Sequence, residues 1–107
     1  LKKTDYTNVK EDKTMKKIKL DKNALLGGIV LENDRYQVVH MNLKTGNQTD
    51  SYSNDKNILL LNISGKITVS FEEQVEPVNE FELLEIPAGV EHVITCLQDA
   101  QIFVVKL

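Results

Sequence analysis

Leu83-Leu84-Glu85-Ile86-Pro87-Ala88-Gly89-Val90-Glu91-His92-Val93-Ile94 decides how the rest of the chain is read. An apolar run ends at Pro87, which has no backbone N–H to give to a sheet ladder, and Gly89 can take the positive φ of a sharp reversal. The stretch predicts a strand that stops, turns and restarts. After the turn, the period of a strand sets Val90, His92, Ile94 and Cys96 on one face and Glu91, Val93 and Thr95 on the other. His92 thus points, with apolar neighbours, toward an interior, where an imidazole is either a satisfied core group or one that meets a ligand.

Working outward, Leu97-Gln98-Asp99-Ala100 predicts a hairpin leading into a last strand, Gln101 to Leu107. On the other side, Val75 to Val78 carries Pro77 and suits only a sheet edge. Ile58-Leu59-Leu60-Leu61-Asn62-Ile63 is nearly all apolar and bounded by turn residues, which predicts a strand buried on both faces. Ser64-Gly65 predicts its end; Lys66 to Phe71 alternates cleanly, so the two segments predict a hairpin, and Glu72-Glu73-Gln74 is the next turn. Gln48 to Asn57 is polar and reads as a loop or a short irregular strand. In the strand Arg35 to Leu43, Tyr36, Val38, His40 and Asn42 share one face. Gln37, Val39, Met41 and Leu43 share the other, more apolar one, so His40 either looks outward or lines a partly polar cavity. Ile29 to Leu31 follows Gly27-Gly28 as a further strand, and Met15 to Leu20 alternates well enough for a short edge strand. About eight or nine short strands with polar turns and no helical period predict an all-β sandwich or barrel.

A chain of 107 residues is long enough to bury one core and too short for two, so one domain is expected. No apolar run approaches the roughly 18 residues that a membrane helix needs, and the N-terminal residues lack the apolar core of a secretory signal. The chain reads as soluble and cytoplasmic, with no membrane partner. Cys96 is the only cysteine, which excludes an internal disulfide and a cysteine-based zinc cluster. Lying in the row of His92 and Ile94, it reads as a buried thiol acting as a small hydrophobe. The net charge of −3 divides into +4 over residues 1–24 and −7 over residues 25–107. The acidic body argues against a nucleic-acid partner, and residues 1–24 read as a basic arm lying on an acidic body, its own or a neighbour's.

Two spacings resemble the paired motifs of the cupin family of small β-barrels. Gly46, Tyr52-Ser53-Asn54, Ile58 and Gly65 stand where its first motif has Gly, His-x-His, Glu and Gly. Phe81, Pro87-Ala88-Gly89, His92 and Cys96 stand where its second has Gly, Pro-x-Gly, His and Asn. The resemblance covers residues 25–107 and implies a single-domain jelly-roll barrel, the cupin-type double-stranded β-helix, preceded by the arm. In metal-binding cupins the two His and the Glu of the first motif and the His of the second hold one divalent ion. The corresponding residues are Tyr52, Asn54, Ile58 and His92, of which only the imidazole is a good ligand for such an ion. No metal and no cofactor are therefore expected, with His40 as the one further imidazole that could assist.

A barrel of this kind can enclose a cavity, here expected to be lined by Tyr36, His40, Tyr52, Asn54, Ile58 and His92. Two functions compete. One is a metal-free binding module, holding a small organic ligand or serving as a sensory or accessory domain. The other is a metal-independent acid/base isomerase, similar to the sugar epimerases that share the barrel, in which His92 removes a proton and Tyr52 returns one. No carboxylate stands at a motif position to orient His92, which favours binding. A homodimer is expected from the resemblance, from the need to cover sheet edges and from the length of the basic arm.

Overall fold

The structure is a computed structural model that describes residues 14–107. Its six strands are β1 (Gly28–Glu32), β2 (Gln37–Leu43), β3 (Ile58–Phe71), β4 (Gln74–Val78), β5 (Leu83–Ile86) and β6 (Val93–Lys106), and the described residues contain no helix. The expected all-β fold is present. The strands form one sheet in the order β1-β2-β6-β3-β4, with β5 on β3, and every pair is antiparallel.

The two longest strands, β3 and β6, correct the sequence reading. Each is a single strand of 14 residues, in place of two strands joined by a hairpin at Ser64-Gly65 and at Leu97–Ala100. They pair along their whole length, and the register slips between Asn62 and Ile67. The dipeptide that reads as a turn is thus a bulge, at which the ladder is interrupted and both strands bend together. Gly65 makes this possible: its φ is +83°, and a Cβ there would sit 2.0 Å from the Asp99 carbonyl oxygen. Beyond the bend the partners change. Ile58 to Leu61 pair with β5 on one side and the end of β6 on the other, while Ile67 to Phe71 pair with β4 and the start of β6. The sheet therefore wraps around on itself, and β3 and β6 belong to both halves.

Inside lie Leu43, Ile58, Leu60, Ile67, Val69, Val78, Ile86, Ile94, Cys96, Ala100, Ile102 and Val104, all buried. Val39, Met41, Leu84 and Val90 pack partly buried against them. Asn62, fully buried at the bend, ties it to the β4 end by donating from Nδ2 to the Gly65 carbonyl at 2.9 Å and the Val78 carbonyl at 3.0 Å. Pro77 sits on β4, whose only partner among the described residues is β3, as an edge position requires.

Met15 to Leu20, expected as an edge strand, is not in a strand. Met15 is 94% exposed, so this segment lacks the burial that would hold it on a sheet. The rest of the expected arm, residues 1–13, lies outside the described residues.

Candidate functional site

The site is built where β6 begins. The turn after β5 is fastened to the preceding loop: Gly89 N–H donates to the Asn54 carbonyl at 2.8 Å, and Ala88 N–H to Asn57 Oδ1 at 2.9 Å. The polar segment from Gly46 to Tyr52 then runs antiparallel to the start of β6. Gly46 N–H donates to the Cys96 carbonyl at 2.9 Å, Thr49 N–H to the Ile94 carbonyl at 2.9 Å, and Tyr52 and His92 exchange two backbone bonds of 2.9 Å. The segment covers the free edge of β6 and fixes Tyr52 beside His92. Their rings meet edge to face, with centroids 5.9 Å apart and an interplanar angle of 89°.

Between this segment and strands β2, β3 and β6 lies a pocket of about 280 Å³. Val39 and Met41 of β2, Ile58 of β3, and Ile94 and Val104 of β6 give it an aliphatic lining. The polar lining is Thr49, Asp50, Ser51, Tyr52, His92 and Lys106. Such a volume lies just below the range for small-molecule sites, about 300–1,000 Å³, and so suits a small ligand.

The hydrogen bonds set the chemistry that each polar group offers. His92 Nδ1 lies 3.1 Å from the Val90 carbonyl oxygen. A carbonyl only accepts, so Nδ1 carries the proton and the neutral ring keeps its lone pair on Nε2. The orienting partner that no motif carboxylate supplies is therefore a backbone carbonyl. The Tyr52 phenol oxygen accepts from Lys106 Nζ at 2.9 Å and from Asn54 Nδ2 at 2.5 Å. The Lys106 bond, reinforced by Asn54 and opposed by partial desolvation, holds the Tyr52 phenol below the usual tyrosine range. Cys96, by contrast, is turned inward among core residues and donates from Sγ to the Gln98 carbonyl at 3.0 Å. Burial pushes its thiol up, the opposite of what a nucleophile needs.

Of the six residues expected to line the cavity, Tyr52, Ile58 and His92 do so. Asn54 does not line it but reaches it through the Tyr52 phenol, while its Oδ1 accepts from Lys56 N–H at 2.9 Å. Tyr36 and His40 are not among the lining residues. Tyr36, just before β2, borders two other depressions with Glu32 and Asn33, one of which it shares with Tyr52, Asn54, Asp55 and Lys106. His40 lies on the other face of β2 from Val39 and Met41, because the more apolar face is the one turned inward. It is buried there at 3% exposure, with Nε2 3.3 Å from Gln101 Oε1 and its ring 5.1 Å from that of Phe103. Lys106 escapes the sequence reading, although alternation from Ile102 and Val104 places it on the inward face of β6. Thr49, Asp50 and Ser51 escape it too, and no local pattern marks them.

These residues do not fit a cupin-type metal ion. Ile58, in the carboxylate position, is a buried hydrocarbon; the Asn54 amide is turned onto Tyr52; and the second imidazole lies on the opposite face of β2. Among the described residues no group of three His, Cys, Asp or Glu side chains comes together.

No protein-family model matches the chain, and no curated protein matches it. Solved structures do. The chain is similar to an RmlC-like cupin family protein with a double-stranded β-helix fold from Methanocaldococcus jannaschii. The two share 22% identity with a TM-score of 0.76, over 86% of this chain and 89% of that one. A cupin superfamily protein from Desulfitobacterium hafniense matches with 20% identity and a TM-score of 0.74, over 84% of this chain and 83% of that one. A further match is oxalate decarboxylase of Bacillus subtilis, which has Mn(II) centres. It shows 25% identity and a TM-score of 0.62, over 66% of this chain and 20% of that one. The fold of the chain is the cupin fold, a double-stranded β-helix.

Proposed function

We propose that this cupin-fold chain is a metal-independent binding module that holds a small organic molecule in the pocket between β2, β3 and β6. The carrying observation is the lining itself: five aliphatic side chains beside an imidazole, a phenol and an ammonium whose hydrogen-bonding capacity is not used up by one another. A filled core would pair or exclude such groups. A module of this kind suits a sensory or accessory role, working as a homodimer. The test is a ligand-observed NMR screen of small organic compounds against the full chain and Met41→Phe, which fills the pocket. Hits that perturb His92 and Tyr52 and vanish in Met41→Phe support the reading; hits that persist unchanged in that variant refute it.

A second reading keeps the same residues and adds a reaction. Tyr52, held by Lys106 below its usual range, stands edge-on to His92, whose Nε2 lone pair is free to take a proton. An isomerase or epimerase acting this way would exchange a carbon-bound proton of a keto sugar for deuterium in D2O, and His92→Ala would abolish the exchange. Binding without any deuterium incorporation would leave the module reading alone standing.

A further inference from the structure

The geometry points to a small hydroxy acid as the pocket's occupant, an inference that rests on the ligand-pocket reading above and gives its ligand a chemical class. Lys106 is the first ground. It follows Ile102 and Val104 on the inward face of β6, and its hydrogen-bond partner is the Tyr52 phenol at 2.9 Å. Among the described residues no carboxylate lies within ion-pair distance of it. Lys106 is half-buried as a residue, and its ammonium, in an exposed hydrogen bond with the phenol, has further N–H donors to give.

Tyr52 is the second ground. Its oxygen accepts from both Lys106 and Asn54, which occupies its lone pairs and leaves only the hydroxyl hydrogen to offer. The pocket therefore presents an N–H donor and an O–H donor from atoms 2.9 Å apart, an arrangement that suits the two oxygens of one carboxylate. His92 is the third ground. With Nδ1–H committed to the Val90 carbonyl, Nε2 is an acceptor and calls for a donor such as a hydroxyl on the ligand. Val39, Met41, Ile58, Ile94 and Val104 leave the rest of that ligand hydrocarbon. Asp50 also lines the pocket and opposes an anion there, so Asp50→Asn should strengthen binding.

The test is NMR titration of the full chain with 3-hydroxybutyrate, butyrate, 3-hydroxybutyramide and 1-butanol. The acid should bind at least about 10-fold more tightly than its amide, as a charge-assisted pair requires. The hydroxy acid should bind about 3- to 10-fold more tightly than butyrate, the usual range for one hydrogen bond. Lys106→Met should erase the first difference and Lys106→Arg should retain it; His92→Phe should erase the second. Lys106→Gln replaces Lys106→Met if that variant does not fold. If the amide or the alcohol binds as well as the acid, the hydroxy-acid assignment falls while the pocket reading survives. If none of the four perturbs His92, Tyr52 or Lys106, the hydroxy-acid assignment likewise falls, and the pocket reading is decided by the compound screen against Met41→Phe.

Discussion

Replacing Gly65 with alanine probes the contact on which the wrapped sheet depends. Two penalties arise, and each can be sized. An alanine held at the φ of +83° found here costs about 1–2 kcal/mol. The new Cβ would sit 2.0 Å from the Asp99 carbonyl oxygen and 2.7 Å from the Ala100 Cα, closer than real Cβ contacts come. Backbone must give way, and overpacking of this kind costs typically about 1–3 kcal/mol. The sum, about 2–5 kcal/mol, is a large part of the roughly 5–15 kcal/mol that a domain of this size has. It corresponds to a melting temperature lowered by roughly 10–30 °C. Two alanine variants separate the terms. Gly46 has a φ of +92°, and a methyl group added there would meet nothing within 4 Å, so Gly46→Ala carries only the first penalty. Gly28 has neither, so Gly28→Ala should be nearly neutral. Thermal unfolding followed by circular dichroism ranks the three. Equal losses for Gly65→Ala and Gly46→Ala would refute the close approach of β3 and β6 at the bend.

Four further outcomes are expected. Phe81 has a φ of +65° and is 76% exposed, so Phe81→Gly relieves backbone strain at little loss of packing and should raise stability by about 0.5–1 kcal/mol, read from urea unfolding. The Tyr52 phenol ionises below the ordinary tyrosine value of 10.0, chiefly because Lys106 donates to it, so Lys106→Met should move its ultraviolet titration upward, with Tyr52→Phe identifying the step. Because the folded-state value is the lowered one, the associated stabilisation is present above the ordinary value of 10.0 and is lost as the pH falls through the folded-state value. Cys96, 1% exposed, should react with a disulfide reagent only slowly until denaturant is added; fast native reaction would contradict its burial. Deleting residues 1–14 should weaken self-association in sedimentation, and an unchanged mass would count against a role for these residues in any dimer.

Backbone geometry is more legible in the sequence than strand pairing. The four positions where the resembling motifs carry glycine, Gly46, Gly65, Phe81 and Gly89, all have left-handed φ values, at 92°, 83°, 65° and 85°. The spacing thus encodes backbone geometry, and it persists at Phe81 where the residue type does not. Ser64-Gly65 misleads because a glycine in a positive-φ conformation serves a turn and a bulge equally well. Only the distant Asp99 carbonyl pressed against it distinguishes the two, and separation along the chain hides that contact. The segment from Gly46 to Tyr52 looks like a loop for a similar reason: its partners are single residues at the start of β6 and His92 just before it, so no alternating pattern is needed to hold it. The inward faces, by contrast, follow from polarity. On β2 the apolar set with Val39 and Met41 turns in, and the same rule carried through β6 leads to Lys106.

The division of labour along β6 explains why the site can change without loss of the barrel. Ile102, fully buried, and Cys96, nearly so, lie near the middle of the strand, where Leu60 and Ile67 of β3 pack into the same core. The polar pocket residues lie at the strand's extremities: His92 immediately precedes it, and Lys106 ends it. Tyr52 hangs from a segment joined to it by backbone bonds, which any side chain at that position would preserve. Substitution at these three positions therefore removes donors and acceptors from the pocket while leaving the central hydrocarbon contacts in place. Ile58 differs from them, because it is 2% exposed and, like Ile94 and Val104, belongs to the core as well as to the pocket. A carboxylate there would have to be buried among aliphatic neighbours, and with a single imidazole nearby it would lack the charge partners that make such burial tolerable. Hydrocarbon at position 58 thus accords with His92 being the single imidazole among the described residues that line the pocket.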